Sequence, residues 1–206
     1  MRNLTIGVLC KSQLHGKFAL CLIRAMDELK EFAVDLKLLI GFSNLPVARS
    51  KVLTQWYEER GPGDWFFFLD ADQTFRTEDL RSILALPGDM RCGLYANALG
   101  ECIGEPVDKQ AFFEGRNLEI LSAGCGLMAV SWEIVDRLAK TLPRVQVRPG
   151  EVVLPFFQTI YVRQDETLHW LGEDTSFCAK IREVGGKLYG FVSPTIGHEV
   201  YKVETL

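Results

Sequence analysis

The most apolar run of the chain, Trp65-Phe66-Phe67-Phe68-Leu69, leads directly into Asp70-Ala71-Asp72. Two carboxylates at this spacing, leaving a strand, point to one side and share a divalent cation, which relieves their repulsion. Magnesium or manganese suits such hard oxygen ligands, and either ion in turn bridges phosphate oxygens. The plainer alternative is a strand ending in a polar turn. Position favours the cation, because open α/β sheets bind ligands outside the carboxyl ends of their strands. A second acidic pair, Glu173-Asp174, follows Gly172 at the start of a helical stretch. A carboxylate there serves as a general base or simply as favourable charge in a helix first turn.

The elements that must position these groups follow from periodicity. Residues 65–69 are apolar on both faces, as in the middle of a covered, mostly parallel sheet. Before them, residues 4–10 read as a buried first strand that ends in a polar loop at Lys11-Ser12. Residues 17–32 carry Phe18, Cys21, Leu22, Ala25, Met26 and Leu29 at helical spacing, and 34–42 read as a second strand. Residues 44–59 read as a helix with Pro46 in its first turn, stopped by Gly61-Pro62-Gly63. Strand, helix, strand, helix, strand predicts a doubly wound α/β domain. Beyond it the pattern predicts a helix over 77–84 capped by Thr77 and a strand over 91–96. A glycine-rich hairpin or lid follows over 100–117. Residues 118–130 read as a strand with a glycine break, and 131–141 as a helix behind a serine cap. A strand pair over 150–168, a helix over 174–184 stopped by Gly185-Gly186, and a last strand over 187–192 complete the chain.

Composition narrows the function classes. The 206 residues are 48% apolar and 24% charged, which suits one globular domain (1–206), either whole or cut from a longer polypeptide. Lysine and arginine number 23 against 27 acidic residues, for a net charge of −4, so no basic stripe tracks a nucleic-acid backbone. No apolar run approaches the roughly 20 residues of a transmembrane span, and the amino terminus lacks the zones of a signal peptide. Six cysteines without a C-x-x-C pair read as reduced thiols, and hence as a cytoplasmic location.

Two families join an apolar strand to Asp-x-Asp. Asp70-Ala71-Asp72-Gln73-Thr74 resembles the nucleophile loop of haloacid-dehalogenase-type phosphatases, which implies attack on phosphorus by Asp70. That loop normally carries glycine where Gln73 stands and closes the first strand of its fold. The second resemblance spans nearly the whole chain. Asn44-Leu45-Pro46-Val47-Ala48-Arg49, WFFFLDADQTF, Ser122-Ala123-Gly124-Cys125-Gly126-Leu127-Met128-Ala129-Val130, Gly172-Glu173-Asp174-Thr175-Ser176-Phe177 and Gly197-His198-Glu199 occur in the order found in nucleotide-sugar-dependent glycosyltransferases with the GT-A fold. The chain is most similar to their family 2.

The second resemblance covers far more of the chain than the first. It implies a doubly wound sheet with helices on both faces and a small antiparallel portion. The implied enzyme moves a sugar from a nucleotide-sugar, with UDP as the expected nucleotide, to a carbohydrate hydroxyl, with inversion. It implies a manganese or magnesium cofactor held by Asp72, His198 and Asp70. Donor contacts are expected from Lys11, Ser12, Arg49, Asp70, Ala71, Asp72, Gly124 and Gly126, with the fork of Arg49 on a phosphate. Asp174 is the expected general base beside Glu173, and Trp170 the flat acceptor face. The phosphatase remains the enzyme alternative. A nucleotide-sugar-binding domain without turnover is the non-enzymatic one.

Overall fold

A computed structural model describes residues 2–95, 104–108 and 118–198. Strand β1 (Arg2–Cys10), helix α1 (Gly16–Glu28), β2 (Phe32–Ile40), α2 (Leu45–Glu59) and β3 (Trp65–Asp70) form the first half. The second half begins with β4 (Gln73–Thr74), α3 (Thr77–Ala85), β5 (Met90–Leu94), β6 (Gly104–Pro106), β7 (Leu118–Ala123) and β8 (Leu127–Ser131). It continues through α4 (Trp132–Ala139), β9 (Val145–Arg148), β10 (Glu151–Val153), β11 (Ile160–Gln164) and β12 (Thr167–Leu171). Helix α5 (Glu173–Glu183), β13 (Leu188–Val192) and β14 (Gly197–His198) close it.

Eight strands form one twisted sheet in the order β2-β1-β3-β8-β5-β13-β7-β6. Strands β7 and β8 run against the other six, so the sheet is mixed but mostly of one direction. The apolar run of β3 explains its central place. Phe66 and Phe68 pack into the core under α2, α4 and α5, while Trp65, Phe67 and Leu69 pack on the other face under α1 and α3. Alternate side chains of a strand face opposite ways, so a strand covered on both faces must be apolar throughout. Gly7 in β1 makes room for this stack: a Cβ there would lie 2.1 Å from the Phe66 ring.

Local signals set the helix starts. Asn44 accepts the Val47 N–H at 3.1 Å and Ser131 accepts the Ile134 N–H at 3.4 Å, both as N-caps. The expected Thr77 cap is corrected. Arg76 holds the cap position, and its N–H donates to the Asp79 carboxylate at 2.8 Å. Helix α1 ends at Glu28, short of residue 32, because Phe32 is already paired with Arg2 in the sheet.

Two further expectations change in the second half. Residues 118–130 form two strands that are not neighbours: β7 lies beside β13, and β8 lies between β3 and β5. The break at residues 124–126 is where the chain changes place in the sheet. The expected strand pair over 150–168 resolves into two separate hairpins, β9–β10 and β11–β12, each pairing with its own sequence neighbour. The expected lid over 100–115 lies mostly outside the described residues. Its described strand β6 pairs antiparallel with β7 at the sheet edge. No helix among the described residues is long and apolar enough to cross a membrane.

Candidate functional site

The order of strand addition reverses at β1, which runs parallel to both β2 and β3. The crossover through α1 adds β2 on one side of β1, and α2 then returns the chain to place β3 on the other. Such a switch point opens a crevice at the carboxyl ends of the strands. A cleft of about 390 Å³ lies there, lined by Lys11, Ser12 and Gln13 after β1, Phe42 and Ser43 after β2, and, at the end of β3, Asp70 with Ala71 and Asp72 that follow it. Lys11 and Ser12 are exposed at its mouth. Phe42 and Ser43 also line a second cleft of about 440 Å³, which extends toward the β9–β10 hairpin.

Behind the cleft, Arg49 of α2 gathers the two acidic motifs. Its side chain is 2% exposed. Its Nη2 donates to both oxygens of Asp70, at 3.2 and 2.8 Å. Its Nη1 donates to Asp174 and lies 3.6 Å from Glu173. The second oxygen of Asp174 accepts the Cys125 N–H at 3.2 Å, which ties the turn between β7 and β8 to the start of α5. Asp70, Glu173 and Asp174 keep 24%, 28% and 30% of their side chains exposed, so this cluster is only partly sealed from water.

The electrostatics follow from that geometry. Burial opposes the charge of Arg49, but the carboxylates of Asp70 and Asp174 outweigh it and hold its pKa above the ordinary arginine value. Burial raises the Asp70 carboxyl above the usual carboxylate range. Arg49 pulls it back, and Asp174 and Asp72 push it up again. Tyr95 is raised for the same reasons: burial first, then the charges of Asp70, Asp174 and Asp72.

Of the two expected donor glycines, Gly126 packs closely in this arrangement. The Gly126 carbonyl accepts the Asp70 N–H at 3.0 Å. A Cβ at Gly126 would stand 2.7 Å from the Tyr95 hydroxyl and 2.9 Å from the Gln73 amide nitrogen. Gly124 is buried in the same turn, and neither glycine lines the cleft. Arg49, expected on a phosphate, has its fork engaged by carboxylates. Trp170 lies apart from the cleft on the exposed β11–β12 hairpin.

Could a cation sit here? Among the described residues no three His, Cys, Asp or Glu side chains form a ready cage. The donor set at the cleft nevertheless suits a hard divalent ion in kind, since Asp70 and Asp72, both carboxylates, line it. Strand β14 pairs with β4 so that the His198 backbone stands opposite Gln73, the residue after Asp72. The His198 side chain and Glu199 lie outside the described set.

Sequence reasoning missed two features. Tyr161 stands directly opposite Trp170 on the hairpin, a pairing visible only once the register is known. Lys180, 8% exposed, donates from Nζ to the carbonyls of Pro155, Phe156 and Gln158 at 3.2, 3.1 and 2.7 Å. A lysine at an inward-facing position of α5, next to Phe177 and Ile181, was the available signal. No protein-family model matches the chain, and no curated protein matches it.

Proposed function

We propose that the chain is a GT-A glycosyltransferase that moves a sugar from a nucleotide-sugar, with UDP as the favoured nucleotide, to a carbohydrate hydroxyl. The observation that carries this reading is the crevice at the β1/β3 switch point, with Asp70, Ala71 and Asp72 on its wall and Lys11 and Ser12 at its mouth. Nucleotides bind at such crevices, and an acidic wall beside a diphosphate calls for a counter-charge.

Asp72 and Asp70, with His198 by resemblance, would hold manganese or magnesium, which when bound supplies positive charge to the departing diphosphate. Lys11 and Ser12 bind the base or ribose. Arg49 holds Asp174 through Nη1 and Asp70 through Nη2. Asp174 receives the proton of the acceptor hydroxyl as that oxygen bonds to the anomeric carbon and the bond from carbon to the diphosphate breaks. Its oxygens already accept two hydrogen bonds, and a carboxylate has about four acceptor sites, so capacity for that proton remains. The phosphatase alternative asks Asp70 to be a nucleophile. That family's loop carries glycine where Gln73 stands and closes the first strand, whereas β3 is the third, which favours the transferase reading.

The test is a thermal-shift and product-release assay with UDP and UDP-sugars, with and without manganese. UDP at about 100 times its Kd should add about 2.7 kcal/mol of stability, only with the metal. Asp72→Asn should abolish that gain. Asp174→Asn should keep it while lowering UDP release from the sugar donor about 10²- to 10⁴-fold. Hydrolysis of a generic aryl phosphate that vanishes in Asp70→Asn would overturn the reading in favour of the phosphatase.

A further inference from the structure

We propose that the outward face of the β11–β12 hairpin is an acceptor platform that binds an oligosaccharide rather than a single sugar, with Tyr161 and Trp170 as its two stacking surfaces. The proposal rests on the glycosyl-transfer reading above and names the class of acceptor.

The register sets Tyr161 opposite Trp170 and Arg163 opposite Leu168. Residues two apart on a strand share a face, so these four look out together, while Ile160, Val162, His169 and Leu171 form the other side. Tyr161 is 67% exposed, Trp170 69% and Leu168 59%. By contrast, Trp56 and Trp65 are buried in the core. The two rings stand 6.0 Å apart, tilted by 39°, and together form a surface broader than one pyranose ring. One face of a pyranose presents C–H groups, whose partial positive charge meets the negative face of an aromatic ring. Arg163, on the same face, supplies donors for the hydroxyls at the sugar rim.

The hairpin is fastened to the helix turn that carries the candidate base. The Ile160 N–H donates to Ser176 Oγ at 3.1 Å, and the Ser176 hydroxyl donates to the Leu171 carbonyl at 3.0 Å. One turn further along α5, Lys180 holds the backbone that enters β11. Platform and Asp174 are therefore parts of one rigid unit, as a surface that presents an acceptor to a base must be. Charge separates a glycan from the other partner an aromatic hairpin suits, a lipid surface. The tip carries Asp165 and Glu166, so a ribbon entering an anionic membrane would lead with two carboxylates. A neutral polyhydroxy ligand meets no such penalty.

The experiment is binding of the labelled 206-residue chain to an array of immobilised monosaccharides and oligosaccharides, with vesicle sedimentation in parallel. Expected is retention on a subset of oligosaccharides and not on the matching monosaccharides. Trp170→Ala and Tyr161→Ala should each weaken it about tenfold with unchanged circular dichroism. Trp170→Phe and Tyr161→Phe, which keep a ring, should restore most of it. Retention on no saccharide, equal retention of monosaccharides, or equal retention by the alanine variants would overturn the proposal. So would sedimentation with phosphatidylglycerol vesicles that those variants lose, which would assign the face to a membrane. UDP stabilisation with manganese but no saccharide retention would sink the platform alone. Saccharide retention without that stabilisation would sink the donor reading alone.

Discussion

Arg49 is the residue on which the two acidic motifs depend. Its guanidinium answers Asp70 from the end of β3 and Asp174 from the start of α5, residues far apart in sequence. Removing one partner of a buried ion pair leaves uncompensated charge, so Arg49→Met should cost about 3–5 kcal/mol in a urea-unfolding measurement. Arg49→Lys should recover only part of this, because an ammonium lacks the planar fork that reaches both carboxylates. If Arg49→Met unfolds with the wild-type midpoint, the cluster is not what holds the two motifs together. The residue types at this site were legible in the sequence, since Asp-x-Asp after an apolar strand and Glu-Asp before a helix stand out by spacing. The ion pairing was not, because it depends on α2 lying beside both elements.

Strand β3 shows how an element enforces its neighbours. Its unbroken apolar run demands cover on both faces, and the Phe66 ring in turn demands a glycine in β1. Gly7→Ala would drive a methyl group into that ring. Phe66 is fully buried and packs at 5.4 Å from Trp56 and 4.5 Å from Phe68, so it has little room to yield. The expected loss is about 1–3 kcal/mol, read from the thermal midpoint. Periodicity identified most elements, because burial on one face leaves a repeat along the chain. It did not separate β7 from β8, since a glycine break looks the same whether a strand bends or the chain departs for another position in the sheet. Nor could it assign the hairpin partners over 145–171. Pairing depends on turn geometry and packing as well as on alternation.

Across the whole molecule, Lys180 ties the loop before β11 to α5 and gives stability a pH dependence. Burial lowers its pKa to about 8, against the opposite pull of Glu183. Between about pH 8 and the ordinary lysine value the unfolded chain therefore holds more protons than the folded one. Stability arising from this group rises with pH across that window and is least below it, where the buried ammonium stays charged. Lys180→Met removes both the titration and the donor to three carbonyls. It should cost about 1–3 kcal/mol at neutral pH, and its gap from the wild type should widen from about pH 8 to about pH 10. Urea unfolding of both proteins over that range checks the sign.

Local chemistry and repeat spacing determined the α/β class, the central strand, most helix limits and the acidic motifs at strand and helix ends, since each leaves its mark within a few consecutive residues. Three-dimensional packing decided the rest. It alone set the order of eight strands, the crevice beside Asp70 and Asp72, the use of Arg49 as a bridge between carboxylates, and the meeting of Tyr161 with Trp170. These are contacts between segments distant along the chain, and such contacts are selected by the fit of whole faces, which no local pattern encodes.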